Sequence, residues 1–421
     1  MYILKRFLGE EFQTFNSIID KYNLEQNNYI NLTACVSYPF QEVLDVQAMP
    51  LSCIPTEGTC ENRFFPKVDS MDQIEAYAES LALQLFKCDK LTYKVNIQPN
   101  SGTQANQIVY NAILNDGDNI LAIKPIDGGH ISHTKLGCRN INPYYFSFDE
   151  NGDVNYSNLE KMIEKVHPSL VIIGASSYTK EFDYKKIYTI TSRYSIPIMA
   201  DICHSVLYIM SGIHKTIFPY VDFATFTMDK LLCGPQGGVV VYKKKYDKQI
   251  SSSVFPKTQG GPIQCSLFSK TMCLVKLSTT NLYKYAKQVI NNTDTLITQL
   301  KMNDLTIVNN SASNHIILIN LMQLGYTGLD IEKRLFQHGI LCNRNQIPGE
   351  IYNAKITSGI RLGTVPITNL KYDMDDIKKL GDYIAAIILV REPQEDIFKY
   401  LINKYHKNIN NANSETIPGT L

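Results

Sequence analysis

The strongest constraint on the fold is an alternation of short apolar runs and helical patterns through the first 250 residues. The apolar runs are nearly continuous, which is typical of strands buried on both faces, and helical patterns at residues 104–114, 156–166 and 187–193 separate them. This order predicts a mostly parallel sheet covered by helices. The predicted strands are residues 95–98, 120–124, 170–174, 196–200, 223–227 and 238–242.

The pattern changes after a long predicted helix at residues 274–301. Strands and helices then follow at 315–321, 327–337, 358–364 and 372–388, as expected of a separate, smaller α+β domain. The fold class is therefore α/β, with a mostly parallel large-domain sheet. The predicted segments are an N-terminal arm at 1–40, a large domain at 41–290, a small C-terminal domain at 291–407 and a disordered tail at 408–421.

Composition excludes several kinds of partner. The 421 residues include 41 basic and 40 acidic side chains, a balance that gives no reason to expect nucleic acid. No apolar run approaches the ~20 residues that span a bilayer, so we expect no membrane partner. Ten scattered cysteines without paired spacing indicate reduced thiols. We expect an intracellular soluble protein, in the cytoplasm or the mitochondrial matrix.

Polar residues follow the predicted strands at one edge of the sheet. Ligands of parallel sheets bind beyond the carboxyl ends of the strands, so these residues are candidates for a site. They are Ser101, Gly102, Thr103, Asp127–His130, Ser176, Asp201, His204 and Lys230.

Lys230 lies where a buried strand gives way to a loop rich in Gly and Pro. An amine that is partly desolvated at such an edge can have a lowered pKa, attack a carbonyl and form a Schiff base. The alternative is a surface lysine that merely follows a strand.

The S-G-T turn at residues 101–103 joins a strand to a helix. Unpaired N–H groups and the helix dipole favour a phosphate there, although an ordinary N-capped connection would have the same pattern. With Asp201 to keep a pyridine nitrogen protonated and Lys230 to carry an aldehyde, the turn completes the anchors that pyridoxal 5'-phosphate requires.

His130 and His133 are the nearest approach to a metal-binding pair. No nearby cysteine, histidine or carboxylate in the sequence completes a ligand set, so we expect no metal site.

Several ordered motifs resemble serine hydroxymethyltransferase over nearly the whole chain. They are N-L-T-A-C (31–35), E-G (57–58), N-I-Q-P-N-S-G-T-Q-A-N (96–106), D-G-G-H-I-S-H (127–133), D-I-C-H (201–204), K-L-L-C-G-P-Q-G-G (230–238), F-P-K-T-Q-G-G-P (255–262) and S-G-I-R-L-G-T (358–364). The resemblance implies the aspartate aminotransferase-like fold, fold type I of the pyridoxal-phosphate enzymes. It also implies interconversion of serine plus tetrahydrofolate with glycine plus methylenetetrahydrofolate, in a homodimer whose sites borrow residues from the partner.

The resemblance also implies roles for individual residues. Lys230 would be the Schiff-base lysine, Asp201 the partner of the pyridine nitrogen and His204 the partner of the phenolic oxygen. Glu57 would be the acid-base carboxylate beside the serine hydroxyl and the folate, and Arg361 would grip the amino-acid carboxylate. By the same resemblance, the remaining positions would contact cofactor or substrate: Ser101, Gly102 and Thr103 (phosphate), Gly260 and Gly261 (phosphate, from the other subunit), Asp127 (ring face), Ser176, Cys35 and Phe65.

Several of these positions depart from the family's pattern. Asp127 and Asp229 stand where the family has His, and Gln236 stands where it has Arg. Such changes make the pocket more negative, so phosphate should bind less tightly. The aromatic and arm positions differ as well: Pro55, Phe64 and Phe65 replace tyrosines, and Cys35-Val36-Ser37 replaces Ser-Glu-Asn.

Three hypotheses follow from these departures. The first is a divergent serine hydroxymethyltransferase with weakened activity. The second is a catalytically impaired paralogue that acts as a structural or regulatory partner of an active homologue, with which it would form a heterodimer. The third is a threonine-aldolase-like pyridoxal enzyme, which would cleave 3-hydroxy amino acids without folate.

Overall fold

The structure is a computed structural model that describes residues 9–51, 55–134, 140–308 and 311–412. These residues form two compact units. The large unit contains residues 37–287, and the small unit contains the described residues before 37 and after 287. None of the helices in the described ranges combines the length and the apolarity needed to cross a bilayer.

The helices are numbered in chain order. They are α1 (Gln13–Asn27), α2 (Gln41–Gln47), α3 (Asp69–Phe86), α4 (Gly102–Ile113), α5 (Tyr156–Val166), α6 (Tyr184–Thr191), α7 (Val206–Ser211), α8 (Asp247–Ser252), α9 (Gln264–Thr279), α10 (Leu282–Met302), α11 (Gly328–Gln337), α12 (Val365–Asn369), α13 (Met374–Ile388) and α14 (Glu395–Ala412).

The strands are numbered in the same way. They are β1 (Ile30–Asn31), β2 (Gly58–Thr59), β3 (Asn62–Arg63), β4 (Tyr93–Asn96), β5 (Asn119–Ile123), β6 (Asn142–Phe146), β7 (Leu170–Ile173), β8 (Ile198–Asp201), β9 (Phe223–Thr227), β10 (Gly238–Lys243), β11 (Thr306–Ile307), β12 (Ile316–Asn320), β13 (Ile340–Leu341), β14 (Asn343–Asn345) and β15 (Gly359–Gly363).

A seven-stranded sheet forms the centre of the large unit, in the order β4-β10-β9-β8-β7-β5-β6. Strands β6, β5, β7, β8 and β9 pair in parallel, whereas β10 runs antiparallel to both β9 and β4. All residues of β7 and β9 are buried, as their continuous apolar runs predict. The prediction of a mostly parallel sheet is confirmed.

Strand β6 was missing from the predicted set. It lies at the edge of the sheet, contains Pro143, and buries only Phe146 completely. Proline is tolerated at an edge because one side of the strand needs no ladder hydrogen bonds. A strand of this kind lacks the apolar run by which the central strands were recognised.

The core beneath the sheet is built against α4. Ile108 and Val109 of this helix are fully buried with Phe223 of β9 and Val240 of β10. Burying one such side chain contributes about 1.5–3 kcal/mol relative to leaving it exposed. The cluster therefore fixes the start of α4 relative to the strand ends beside it.

The long helix predicted at residues 274–301 is instead parts of two helices, α9 and α10. Thr280 takes an extended backbone conformation (φ −95°, ψ 141°), which ends α9. Asn281 then accepts a 3.0 Å hydrogen bond from the backbone N–H of Lys284, as an N-cap does. The apolar spacing continues across this break, so periodicity alone could not reveal it.

The small unit contains an antiparallel sheet in the order β11-β12-β15-β14. Strand β1 pairs in parallel with β13, and the carbonyl of Leu32 accepts a 2.7 Å hydrogen bond from Gly363, so residues of the expected arm pack within this unit. Helix α14 includes residues 408–412 of the expected tail, and residues 413–421 lie outside the described residues.

Candidate active site

A cavity of about 220 Å³ lies in the large unit where β7, β8 and β9 end and α4 begins. We call it the Lys230 cavity. Its lining includes most of the polar residues that were expected at this edge of the sheet. The lining residues are Ser101, Gly102, Thr103, Asn106, His130, Ala175, Ser176, Asp201, Cys203, His204, Thr227, Asp229, Lys230 and Gln236.

Lys230 is half-buried in the loop between β9 and β10, and its Nζ lies 3.4 Å from Nε2 of His204. Two backbone hydrogen bonds of Met228 close this loop. Its N–H donates to the Gly237 carbonyl, and its carbonyl accepts from the Gly234 N–H. A Cβ on Gly234 would lie 2.8 Å from Sγ of Cys273, so close packing requires glycine there. The amine is therefore presented from a rigid loop.

Asp201 ends β8, and its carboxylate receives hydrogen bonds from Asn106 Nδ2 at 2.8 Å and from the Cys203 N–H at 3.2 Å. His133 Nε2 lies 3.1 Å from the same carboxylate. Burial by itself would raise the pKa of Asp201, but the hydrogen bonds from His133 and Asn106 outweigh it and hold that pKa well below the usual range. Asp201 is therefore an anion that can keep a pyridine nitrogen protonated.

Two neighbours fix the orientation of this carboxylate. Nδ1 of His133 is buried and has no hydrogen-bond partner among the described residues, so we assign the ring proton to Nε2, which faces Asp201. Asn106 is held in turn by Thr225, whose hydroxyl donates to its Oδ1 at 2.6 Å. The amide of Asn106 must therefore direct its N–H groups at Asp201.

The start of α4 forms a turn whose geometry suits an anion, and we call it the phosphate cup (Ser101–Thr103). Ser101 caps the helix, because its Oγ accepts a 3.1 Å hydrogen bond from Gln104 N–H. A Cβ on Gly102 would lie 3.3 Å from Sγ of Cys203, so a side chain would narrow the cup. Free helix N–H groups and the positive end of the dipole suit a phosphate at this position.

Two of the altered positions face the same cavity. Asp229 accepts a hydrogen bond from the Thr227 hydroxyl, and its carbonyl accepts one from Ser37 at 2.8 Å. Gln236 also lines the cavity. The lining thus contains the carboxylates of Asp201 and Asp229 and the amine of Lys230. With a neutral glutamine at position 236, the cavity is less positive than it would be with an arginine there.

Asp127 is a candidate that does not line the cavity. It lies in a 3₁₀ turn after β5, where burial raises the pKa of its carboxyl group despite the opposing effect of Lys124. His130, three residues later, lines the cavity in its place, with Nδ1 2.6 Å from Oγ of Ser132.

His130 and His133 gain a third neighbour that their sequence spacing did not reveal. Asp201 joins them, and the potential ligand atoms of the three residues lie within 4.8 Å of one another. The Asp201 carboxylate is already bonded to Asn106 and His133. We therefore interpret the cluster as a hydrogen-bonded network.

Glu57 lies in a separate cluster of the large unit with Gly260 and Gly261. A Cβ on Gly261 would be 3.4 Å from Cγ of Glu57, and one on Gly260 would be 3.7 Å from its Oε1. Arg63, whose side chain is only 4% exposed, shapes this loop by donating to the carbonyls of Thr56 at 3.0 Å and Gly58 at 2.9 Å. Glu57, Gly260 and Gly261 do not line the Lys230 cavity.

Phe65, which is 37% exposed, is also absent from that lining. Neighbouring Phe64 is 71% exposed and packs against Phe255, with ring centroids 5.2 Å apart. Both rings therefore lie near Glu57 in sequence and are exposed in the single chain.

Arg361 and Cys35 belong to the small unit. Arg361 lies in β15, and its Nε donates to Oδ1 of Asn343 at 3.0 Å. Burial lowers the pKa of the guanidinium, although Cys35 opposes this effect. Even a lowered arginine pKa leaves the group charged at neutral pH, so it remains suited to a carboxylate.

Asn106, Thr227 and Cys203 line the cavity but had no assigned role. Asn106 follows Gly102 by four residues, which places both on one face of α4, and this spacing was the available signal. Thr227 is the last residue of β9, and Cys203 lies two residues after the end of β8, so both belong to the strand ends that supplied the other candidates.

The parallel sheet, the phosphate cup, the ionised Asp201 and the loop lysine define a pyridoxal-phosphate enzyme of fold type I. The sequence profile of serine hydroxymethyltransferase matches residues 9–384. The chain is 31% identical to the serine hydroxymethyltransferase of Lacticaseibacillus casei over 393 residues, which cover 92% of this chain and 95% of that protein. The Lacticaseibacillus paracasei enzyme gives the same identity and coverage. The chain belongs to the serine hydroxymethyltransferase family.

This family depends on pyridoxal phosphate and uses tetrahydrofolate as co-substrate. The residues around the Lys230 cavity fit that cofactor: a helix N-terminus for the phosphate, an anion for the pyridine nitrogen and an amine for the aldehyde. The resemblance in the motifs is therefore matched by the family assignment.

Proposed function

We propose that the protein interconverts serine plus tetrahydrofolate with glycine plus methylenetetrahydrofolate at the Lys230 cavity, at a reduced rate. The observation that carries this proposal is the grouping of Lys230, His204 and Asp201 at the sheet edge beside the phosphate cup. All of them come from rigid elements or tightly closed loops, as a reaction centre requires.

Each residue would have a distinct task. Bound pyridoxal phosphate supplies an aldehyde that combines with amines and a ring that accepts the electron pair of a broken Cα bond. Asp201 would hold a proton at the pyridine nitrogen, and Lys230 would hold the aldehyde and later move a proton. His204, whose Nε2 lies 3.4 Å from Nζ of Lys230, would orient the cofactor ring through a hydrogen bond to its phenolic oxygen.

The altered positions support a reduced rate. Asp229 adds a carboxylate to the lining, and Gln236 contributes no charge. Both changes oppose a phosphate dianion. Where the family has tyrosines, Phe64 and Phe65 cannot exchange a proton, and a lost proton-transfer group costs a factor of roughly 10² to 10⁴ in rate.

A dimer whose sites share residues would complete the catalytic set. Glu57, Gly260 and Gly261 cluster away from the Lys230 cavity, so a second copy could bring them to it. Helix α1 also exposes an apolar face, with Phe15 at 53% and Ile18 at 59% exposure. Such a face is expected to be covered in an assembly.

The direct test is the absorbance spectrum of the purified protein with added pyridoxal phosphate, beside Lys230→Ala. We expect a band near ~420 nm in the wild type alone, which shifts towards ~500 nm with glycine and folate. Failure of the wild type to show the band at any cofactor concentration would contradict the proposal. Dominant cleavage of 3-hydroxy amino acids without folate would instead identify a threonine-aldolase-like enzyme.

A second candidate function is a catalytically impaired paralogue that pairs with an active homologue. The observation that favours it is that Phe64 and Phe65, which lie near Glu57 in sequence, are exposed and have no group that could transfer a proton. Mixing the protein with a purified active homologue and measuring mixed dimers by native mass spectrometry tests this role. Mixed dimers together with undetectable serine cleavage by the isolated chain would favour the paralogue.

A further inference from the structure

Lys270 is a fully buried lysine on α9, and it has no part in the function proposed above. Its ammonium group donates to two backbone carbonyls, that of Ile97 and, at 2.9 Å, that of Pro99. These carbonyls belong to the segment that enters the phosphate cup. Burying a lysine ammonium group carries a large desolvation cost, and such a cost is typical of a charge that has a function.

Close packing ties Lys270 to both sides of the Lys230 cavity. The Pro99 carbonyl also accepts from Gly238 N–H at 2.9 Å. A Cβ on Gly237 would lie 3.1 Å from Nζ of Lys270, and one on Gly238 would lie 2.2 Å from the Ser101 carbonyl oxygen. Both positions therefore need glycine, and the lysine is packed between the cup and the loop that follows Lys230.

In the part of the chain that the structure describes, few charged groups act on this ammonium group. Burial lowers the pKa of Lys270 to about 7, and Glu75 of α3 opposes that effect. Glu75 is itself paired with Arg63 at 2.6 Å. The other lysine of α9, Lys276, is paired with Glu42 of α2 at 2.6 Å, and residues 97–99, 237 and 238 carry no ionisable side chain.

We propose that Lys270 is the buried cation of the phosphate cup, which positions the Ile97–Pro99 segment and favours the binding of a phosphate dianion at Ser101–Thr103. Pro99 precedes Ser101 by two residues, and a chain spans at most ~3.6 Å per residue, so the ammonium group lies within roughly 10 Å of the cup. Charges at that distance interact appreciably when solvent is excluded. The inference rests on the family's cofactor and does not require turnover.

The test compares titrations of pyridoxal 5'-phosphate and of pyridoxal, which lacks the phosphate, into the wild type and Lys270→Met. The ratio of the two affinities isolates the phosphate contribution. From about pH 7 upward the phosphate is a dianion, because its second pKa is ≈ 6. Near pH 7 we expect this ratio to be roughly tenfold higher in the wild type than in the variant.

The pH dependence separates an electrostatic role from a structural one. As pH rises above 7, Lys270 of the unliganded wild type loses its proton. The difference between the affinity ratios of the wild type and of Lys270→Met should therefore become smaller towards about pH 9. Lys276→Met is the matched control on the same helix and should retain the wild-type ratio. Equal ratios at neutral pH, or a difference that does not change with pH, would overturn the proposal.

A second measurement covers the case in which Lys270→Met fails to fold. Calorimetric titration of the wild type with inorganic phosphate, in two buffers of different ionisation enthalpy near pH 8, reports the protons taken up. We expect net uptake, because the bound dianion raises the pKa of Lys270. Binding without uptake would contradict the proposal.

Discussion

The chemistry of single residues in this protein depends on the partners that surround them. The side chain of Asp201 is only 9% exposed, yet it remains ionised because Asn106, His133 and the Cys203 backbone donate to it. Asp229 lines the same cavity, and its carboxylate is expected to oppose a phosphate. We therefore expect the same residue type to favour the cofactor at position 201 and to disfavour it at position 229.

Replacing Asp201 by Asn tests the need for an anion. The amide oxygen can still accept from Asn106 and His133, whereas the amide nitrogen replaces the oxygen that accepts from the Cys203 N–H. The variant therefore loses the negative charge together with that one hydrogen bond, and we expect α-proton exchange of glycine to slow by roughly 10² to 10⁴. Exchange is followed by NMR in deuterated buffer. The exposed Asp116→Asn substitution should have no effect, and a rate within twofold of the wild type in Asp201→Asn would contradict the assigned role.

The difference in stability between the wild type and Asp201→Asn should depend on pH. The folded-state pKa of Asp201 is lowered, so its stabilising contribution is complete above the ordinary carboxyl pKa of about 4 and is lost as pH falls below it. We therefore expect the urea midpoint of the wild type to approach that of Asp201→Asn below about pH 4. A gap that stays constant between neutral and acid pH would contradict the linkage.

A charge series at Gln236 tests whether this position weakens cofactor binding. We expect the affinity for pyridoxal phosphate to rise several-fold, up to roughly tenfold, in Gln236→Arg and to fall in Gln236→Glu, because this residue lines the cavity. Added salt should shrink both effects, since the side chain is exposed. Pyridoxal without its phosphate is the control ligand, and an identical response to both ligands would exclude a phosphate effect.

Individual elements begin and end where side chains satisfy the free backbone groups. Asn281 starts α10 after the extended residue Thr280, and Ser101 starts α4 at the phosphate cup. Thr327 and Asp330 form a capping box at α11, in which each side chain accepts from the other residue's N–H, at 3.2 Å in both cases. Local hydrogen bonds therefore set boundaries that apolar spacing leaves open.

Thr327→Ala should destabilise the protein by about 1 kcal/mol, because it leaves an N–H group of α11 without its cap. Thr327→Ser keeps the hydroxyl and should remain close to the wild type. Urea titrations followed by far-UV circular dichroism measure both variants. An equal loss in Ala and Ser would show that the methyl group, and not the cap, matters.

At the scale of the whole molecule, the proposed dimer would place Glu57 of one chain at the Lys230 cavity of the other. Within a single chain these two residues belong to separate clusters of the large unit. Subunit exchange can therefore distinguish a shared site from one completed within a chain.

Mixing Glu57→Gln with Lys230→Ala should restore activity that each variant lacks. A hybrid dimer has one site with both wild-type residues, so random exchange of equal amounts gives about a quarter of the wild-type rate. Serine cleavage is measured before and after exchange, with native mass spectrometry to count hybrids. Hybrids that form without regaining activity would contradict a shared site.

Periodicity and strand ends in the sequence predicted the mostly parallel sheet and directed attention to Lys230, Asp201, His204 and the phosphate cup, which share one cavity. These inferences succeeded because burial on both faces leaves an apolar run and parallel strands end at a common edge. Edge strand β6 escaped the same reasoning because it carries no continuous apolar run, and the break before α10 escaped it because the apolar spacing continues across the break.

The sequence by itself determined the family, the type of fold and the residues able to bear the chemistry. Only the tertiary structure decided which polar groups meet. Asp201 and His133 are 68 residues apart, and Lys270 reaches Ile97 across 173 residues. Local patterns record whether a residue is buried and in which kind of element, whereas its partner across the fold depends on how all the elements pack together.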